Sequence, residues 1–160
     1  MKALRIFSLL VFVGLVYLGG DLIANNAAFT NAPGALARLK VYFTLNRSWT
    51  DGGYPLPEVA SRTFYGDPQK LRTNIDHAIG AFSGWHVKSR AEDRIVVRVA
   101  PSFWHRGSTV EIGLLPVPGG LRMEISAVSD SSSADLGADR NYILNLYHAI
   151  GEENAIHPPV

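Results

Sequence analysis

The chain changes its hydrophobic period between residues 121 and 150. In the first part every second residue is apolar, which predicts a strand with one buried face. These apolar residues are Leu121, Met123, Ile125 and Ala127. After a polar run at 129–133, the apolar positions follow the spacing of one helix face. They are Leu136, Ile143, Leu146, Tyr147 and Ile150. We therefore expect a strand followed by a helix that lies across a sheet.

The preceding part of the chain has a similar pattern. Alternation predicts strands over 59–65, 85–90, 94–100 and 109–115. Between the first two, Asp67 and Pro68 are typical of a helix start, as N-cap and first-turn residue. The helix that follows carries one apolar stripe, formed by Leu71, Ile75, Ala78, Ile79 and Phe82. The joins at 91–93 and 116–120 are short enough for antiparallel hairpins.

The predicted order is strand, helix, four strands, helix. Hairpin-linked strands flanked by two helices indicate an α+β fold: a two-layer antiparallel sheet with both helices on one face. The other face is expected to be solvated and mixed in charge. Its predicted residues are Lys88, Arg90, Arg98, Glu111, Arg122 and Glu124.

The first 24 residues have the layout of a membrane anchor or an export signal. Lys2 and Arg5 precede an apolar run from 6 to 24, which as a helix is about 28 Å long and close to the roughly 30 Å hydrocarbon core. Asparagine stands three residues before each plausible cleavage point, which disfavours cleavage. We expect an uncleaved transmembrane helix, with a cleaved signal peptide as the alternative. The basic N-terminus predicts that the rest of the chain lies outside the bacterial inner membrane, in the periplasm.

Residues 25–57 are predicted to hold a juxtamembrane helix and a linker. A helix over about 35–45 places Leu36, Leu39, Tyr42 and Phe43 on one face, with Arg38 and Lys40 away from it. This face could cap the domain or rest on the lipid surface. Residues 46–57, rich in Gly and Pro, are expected to be a turn-rich linker. The α+β domain is then assigned to 58–151 and a tail to 152–160.

Composition excludes several functional classes. The chain has 160 residues, enough for one domain with a substantial core, and it has no cysteine, so disulfides, thiolate nucleophiles and cysteine metal sites are excluded. The 15 Lys+Arg nearly balance the 14 Asp+Glu, which disfavours nucleic-acid partners. The five histidines lack metal-ligand spacing, so no metal or other cofactor is expected.

The segment from Ser126 to Arg140, with its Asp135-Leu136-Gly137-Ala138-Asp139-Arg140 run, resembles the closing signature of the domain-of-unknown-function family DUF1499. Asp67-Pro68, the run 84–87 and the run 40–46 resemble its membrane-anchored bacterial members. Asp139 stands where that family favours asparagine. The family has no established activity, so the resemblance implies location and fold more than function.

Three residues of that signature, Asp135, Gly137 and Arg140, are interpreted as structural. Asp135, or a serine just before it, is expected to cap the last helix, and Gly137 to let that helix approach the sheet. Arg140 is expected to form an internal ion pair with Asp135, Asp139 or a strand carboxylate, or else to bind an anion. No G-x-S-x-G motif activates a serine, so no catalytic residue is assigned.

The loop after the third predicted strand is the candidate partner-binding site, because large aromatic side chains in loops favour interfaces. Its residues are Phe103, Trp104, His105 and Arg106. Packing over the end of the core is the alternative.

The first functional hypothesis is therefore a non-catalytic, membrane-anchored accessory domain that binds or stabilises a membrane protein complex. The second is a lipid or small apolar ligand carrier with a pocket between the sheet and the last helix. An enzyme is the weakest, and would require Asp130, Asp135 and Arg140 to converge in a cleft.

Overall fold

The computed structural model describes residues 2–102 and 107–156, with side chains described for residues 2, 4–102 and 107–151. The chain folds into an α+β domain preceded by an apolar helix, as predicted. In chain order the elements are α1 (Lys2–Ala24), α2 (Ala35–Thr44), β1 (Arg47–Trp49), β2 (Arg62–Tyr65), α3 (Pro68–Ala81), β3 (Trp85–Arg90), β4 (Arg94–Val99), β5 (Ser108–Val117), β6 (Gly120–Ser129) and α4 (Ala138–Ile156).

The described strands form a six-stranded antiparallel sheet in the order β1-β6-β5-β4-β3. The short strand β2 shares an edge of β6 with β1: β1 pairs with residues 126–128 and β2 with residues 120–123. Thr50 joins the two sections of this edge, since the Ile125 amide donates to the Thr50 hydroxyl at 2.8 Å. The predicted hairpins link β3 to β4 and β5 to β6.

The core lies between the sheet and the helices, which pack on one side of it. The predicted inward positions of β4, β5 and β6 are all buried, so the period-two pattern is confirmed. From α4, Ile143, Leu146, Tyr147 and Ile150 are buried against them, and the Tyr147 hydroxyl donates to the Met123 carbonyl at 3.3 Å.

The start of α3 is also confirmed. The Asp67 side chain accepts a hydrogen bond from the Gln69 amide at 3.0 Å, and Pro68 is the first helical residue. Because the first-turn amides of a helix have no partner within the helix, this cap fixes where α3 begins.

Three segments differ from the sequence prediction. Residues 46–57 were expected to be a linker but contain β1, and the strand predicted over 59–65 begins at Arg62. The last helix begins at Ala138, because Leu136 (φ 54°) and Gly137 (φ 88°) form a left-handed turn before it. It continues to Ile156. Short edge strands carry little periodicity, which is why β1 was missed.

The structure divides the apolar face that was predicted for α2. Its buried residues are Arg38, Val41 and Tyr42, whereas Leu36 and Phe43 are exposed. Hydrophobic spacing grouped Tyr42 with Leu36 and Phe43 and placed Arg38 away from them, but Arg38 is buried with Tyr42 and bonds to Glu58.

Helix α1 is long and apolar enough over Leu4–Ala24 to cross a membrane. Residues 4–17 are exposed, while Asp21 and Asn25 near its end are buried in the domain. The Asn25 side-chain amide donates to the Leu136 carbonyl at 3.2 Å. The apolar helix therefore ends inside the folded unit rather than in a free linker.

Candidate functional site

The predicted partner-binding loop, Phe103 to Arg106, lies outside the described residues. The prediction for these four residues stays a prediction.

The three signature residues meet at the junction of α1, α2 and α4. The carboxylate of Asp135 accepts hydrogen bonds from the Gly137 amide at 3.0 Å and the Asp139 amide at 2.9 Å. It therefore caps α4, as expected. Gly137 was predicted to let α4 approach the sheet. It lies instead against the Tyr42 ring on α2.

Arg140 forms the expected internal ion pair, but its partner is Glu58 rather than Asp135 or Asp139. The Arg140 Nε donates to Glu58 Oε1 at 2.7 Å. Arg38 from α2 donates to the same carboxylate through both terminal nitrogens, at 2.7 and 2.8 Å. Arg38 is fully buried, so a single carboxylate bridges two buried guanidinium groups from different helices.

Backbone carbonyls complete this network. The Arg38 Nε donates to the carbonyls of Asn31 and Ala32 at 3.0 Å, and the Arg140 Nη1 donates to the Asn26 carbonyl at 3.2 Å. These carbonyls belong to the segment that joins α1 to α2. The network therefore fixes the exit of the apolar helix on the domain.

Two opposing effects set the pKa of Glu58. Burial alone would raise the pKa, but hydrogen bonds from Arg38 and Arg140 outweigh it and lower the pKa to about 2. Glu58 is thus ionised under all ordinary conditions. No sequence pattern indicates Arg38 or Glu58, because neither stands in a motif and Arg38 was placed away from the apolar face of α2.

Asp135, which is half-buried, and Asp139, which is fully buried, form an acidic pair beside this network. Burial raises the pKa of both carboxyls, and the charge of Asp135 adds to the effect at Asp139, whose pKa rises to about 8. Since Asp135 accepts two backbone hydrogen bonds, we assign the negative charge to Asp135 and the proton to Asp139.

The outer face of the sheet carries mixed charge, as predicted, and holds an open groove of about 500 Å³. The Arg94 guanidinium pairs with Glu111 at 3.0 Å along this groove. Trp49, half-buried, lines it beside Arg47, whose guanidinium carbon lies 4.9 Å from the centre of the indole ring. A charged groove with an accessible tryptophan is chemically suited to protein contacts, where Trp and Arg contribute most of the binding energy.

The three residues considered for chemistry, Asp130, Asp135 and Arg140, each have a separate structural partner. Asp130 pairs with Arg98, Asp135 caps α4, and Arg140 pairs with Glu58. His77 is exposed on α3. Among the side chains that the structure describes, at residues 2, 4–102 and 107–151, no group of three or more His, Asp or Glu could hold a metal ion.

The space between the sheet and α4 is occupied by packed side chains. Ile143 and Leu146 are fully buried there, and Trp85 lies 5.8 Å from Tyr142 in an edge-to-face contact. This packing gives the ligand-carrier hypothesis no support.

No protein-family model, curated protein or solved structure matches the chain.

Proposed function

We propose that the protein is a membrane-anchored accessory domain, held on the periplasmic side of a bacterial inner membrane, that binds or stabilises a membrane protein complex. Lys2 and Arg5 favour a cytoplasmic N-terminus, because basic residues flanking a span are retained in the cytoplasm. The domain that follows α1 then faces the periplasm.

One observation supports this proposal most directly: the apolar helix continues into the domain without a flexible linker. Residues 6–17 of α1 are exposed and, apart from Ser8, apolar, whereas Asp21 and Asn25 are buried in the domain. A domain that merely needed to stay near the membrane would require only a tether. Burial of the helix end favours a domain held in a defined position, as binding to another membrane protein requires.

The groove on the outer sheet face is the surface that we assign to the partner. Its ion pair, Arg94–Glu111, and the indole of Trp49 offer charge complementarity and an aromatic anchor. We expect the partner to be a polypeptide, because the groove is open and polar rather than enclosed and apolar.

The experiment that tests partner binding compares particle sizes from native membranes. The tagged full chain is solubilised in mild detergent and sized by light scattering, with the detergent mass subtracted. We expect a particle well above the 17.4 kDa of the chain. Arg94→Glu and Trp49→Ala should each reduce the particle to the free chain, while Lys70→Glu, on exposed α3 surface, should leave it intact.

Circular dichroism of each variant separates loss of binding from loss of folding. A wild-type chain that elutes alone from native membranes would contradict the proposal.

The proposed location is tested independently with Ser132→Cys, since the chain has no native cysteine. A membrane-impermeant maleimide should label this variant in spheroplasts; labelling only after lysis would refute the periplasmic assignment.

A further inference from the structure

The exposed part of α1 is too short to cross a membrane by itself. At about 1.5 Å per residue, residues 4–17 cover about 21 Å, whereas the hydrocarbon core is about 30 Å thick. The full apolar segment, Leu4–Ala24, has the required length. One side of its last turns, at Asp21 and Leu22, packs on the domain. A span of matched length therefore brings the adjoining domain surface to the membrane boundary.

The side chains beside this junction are suited to that position. On α1, Ile23 is 80% exposed, and on α2, Leu36 is 85% and Phe43 44% exposed. Leu36, Lys40 and Phe43 are spaced i, i+4 and i+7, which places them on one face of α2. Helix α2 therefore presents Leu36 and Phe43 outward, as the lipid-surface alternative requires, rather than using them to cap the domain.

The opposite face of α2 is fixed to the segment that leaves α1. The Tyr42 hydroxyl donates to the Ala28 carbonyl at 3.2 Å, and the Tyr42 ring meets Phe29 edge to face at 5.8 Å. Arg38 adds its bonds to the carbonyls of Asn31 and Ala32. These contacts hold α2 beside the end of the apolar helix, so its outward face cannot turn inward.

We propose that the outer face of α2 (Leu36, Lys40 and Phe43), together with Ile23, inserts into the interfacial layer of the same membrane that α1 crosses. This inference rests on the proposed membrane crossing by α1. The apolar side chains enter the boundary between headgroups and acyl chains, and the Lys40 ammonium reaches the anionic headgroups. The two contacts together fix the tilt of the domain on the membrane.

A lipid surface is favoured over a protein partner because the face continues directly from the candidate span. A partner protein that bound this face of α2 would have to lie at the membrane depth where Ile23 and the end of α1 already contact lipid. The single cation on this face, Lys40, also complements an anionic bilayer surface.

The test uses single-cysteine variants of the full chain labelled with an environment-sensitive fluorophore. Leu36→Cys and Phe43→Cys are compared in vesicles of phosphatidylcholine and phosphatidylglycerol with two controls at exposed sites, Tyr65→Cys and Val87→Cys. Tyr65 pairs with the opposite end of β6 from β1, and Val87 lies on the far edge strand. Leu10→Cys marks insertion of α1.

We expect the probes at 36 and 43 to show blue-shifted emission, quenching by shallow spin-labelled lipid, and loss of quenching by aqueous iodide. The probes at 65 and 87 should remain accessible to iodide. If the probe at 10 is in lipid while those at 36 and 43 stay in water, the inference is wrong and the membrane crossing stands. If the probe at 10 is also in water, the membrane crossing fails as well. If the probes at 36 and 43 become accessible to iodide when excess lipid dilutes the chains, a second copy of the chain covered this face. That result would overturn the inference.

Discussion

Gly137 packs directly against Tyr42, and a Cβ at this glycine would lie 3.2 Å from two carbons of the ring. The contact joins the start of α4 to α2. Because Gly137 also has φ +88°, both the space and the backbone conformation favour glycine here.

Gly137→Ala should therefore destabilise the domain by about 1–3 kcal/mol, since the new side chain is strained and displaces the Tyr42 ring. Urea unfolding of the full chain in detergent measures the change. Gly80→Ala is the control, because Gly80 lies in α3 with no atom within 4 Å of its added Cβ. That substitution should stabilise the domain by about 0.5–1 kcal/mol. If Gly137→Ala and Gly80→Ala changed the free energy of unfolding equally, the close contact between Gly137 and Tyr42 would be contradicted.

Glu58→Gln should cost about 3 kcal/mol, because it leaves two buried guanidinium groups without their counter-charge. Denaturant unfolding again measures the loss. The control is Glu124→Gln, which breaks the exposed pair with Arg122 and should change stability by less than about 1 kcal/mol. A Glu58→Gln variant as stable as wild type would show that the network contributes little.

The lowered pKa of Glu58 also predicts that the domain loses stability in acid. Its pKa is lowered in the folded state, so its contribution is complete above the unfolded value, about pH 4.5, and is lost as the pH falls towards about 2. The midpoint of urea unfolding should decline over this range in wild type and decline less in Glu58→Gln. If the urea midpoints of wild type and Glu58→Gln declined equally with pH, Glu58 would not be the group responsible.

Asp139→Asn should have the opposite dependence on pH. In wild type the folded state keeps the Asp139 proton up to about pH 8, whereas the unfolded chain releases it near pH 4. Stability from this group therefore falls as the pH rises through that interval. Asparagine mimics the protonated acid, so the variant should be more stable than wild type near pH 8 and similar near pH 4, measured by urea unfolding. A variant less stable at both pH values would contradict a neutral Asp139.

Asp67→Ala should lower stability by about 1 kcal/mol, because it removes the acceptor for the Gln69 amide at the start of α3. Asp67→Asn keeps an oxygen acceptor and should match wild type. Thermal unfolding followed by circular dichroism distinguishes them. If both variants lose the same stability, the carboxylate charge rather than the cap is responsible.

The accuracy of the sequence predictions differed between elements for physical reasons. Val97, Ile112 and Ile125 were placed correctly because a long strand with one buried face must alternate. The buried face of helix α2 was predicted only in part, because Arg38 gains a carboxylate 20 residues away, which no local pattern reveals.

The candidate site was predicted less completely. Asp135 was recognised as a cap because capping is local, and Arg140 was expected to pair internally. Glu58 was not identified as its partner, since the two residues are 82 positions apart.

By itself the sequence determined the apolar helix, the antiparallel α+β fold and the inward face of each long strand, because periodicity and length are properties of contiguous residues. The tertiary structure alone decided which face of α2 is buried, that Glu58 joins Arg38 to Arg140, and that the apolar helix ends within the domain. Buried charges are tolerated only where their partners converge, and that convergence is set by the folding of distant segments onto one another.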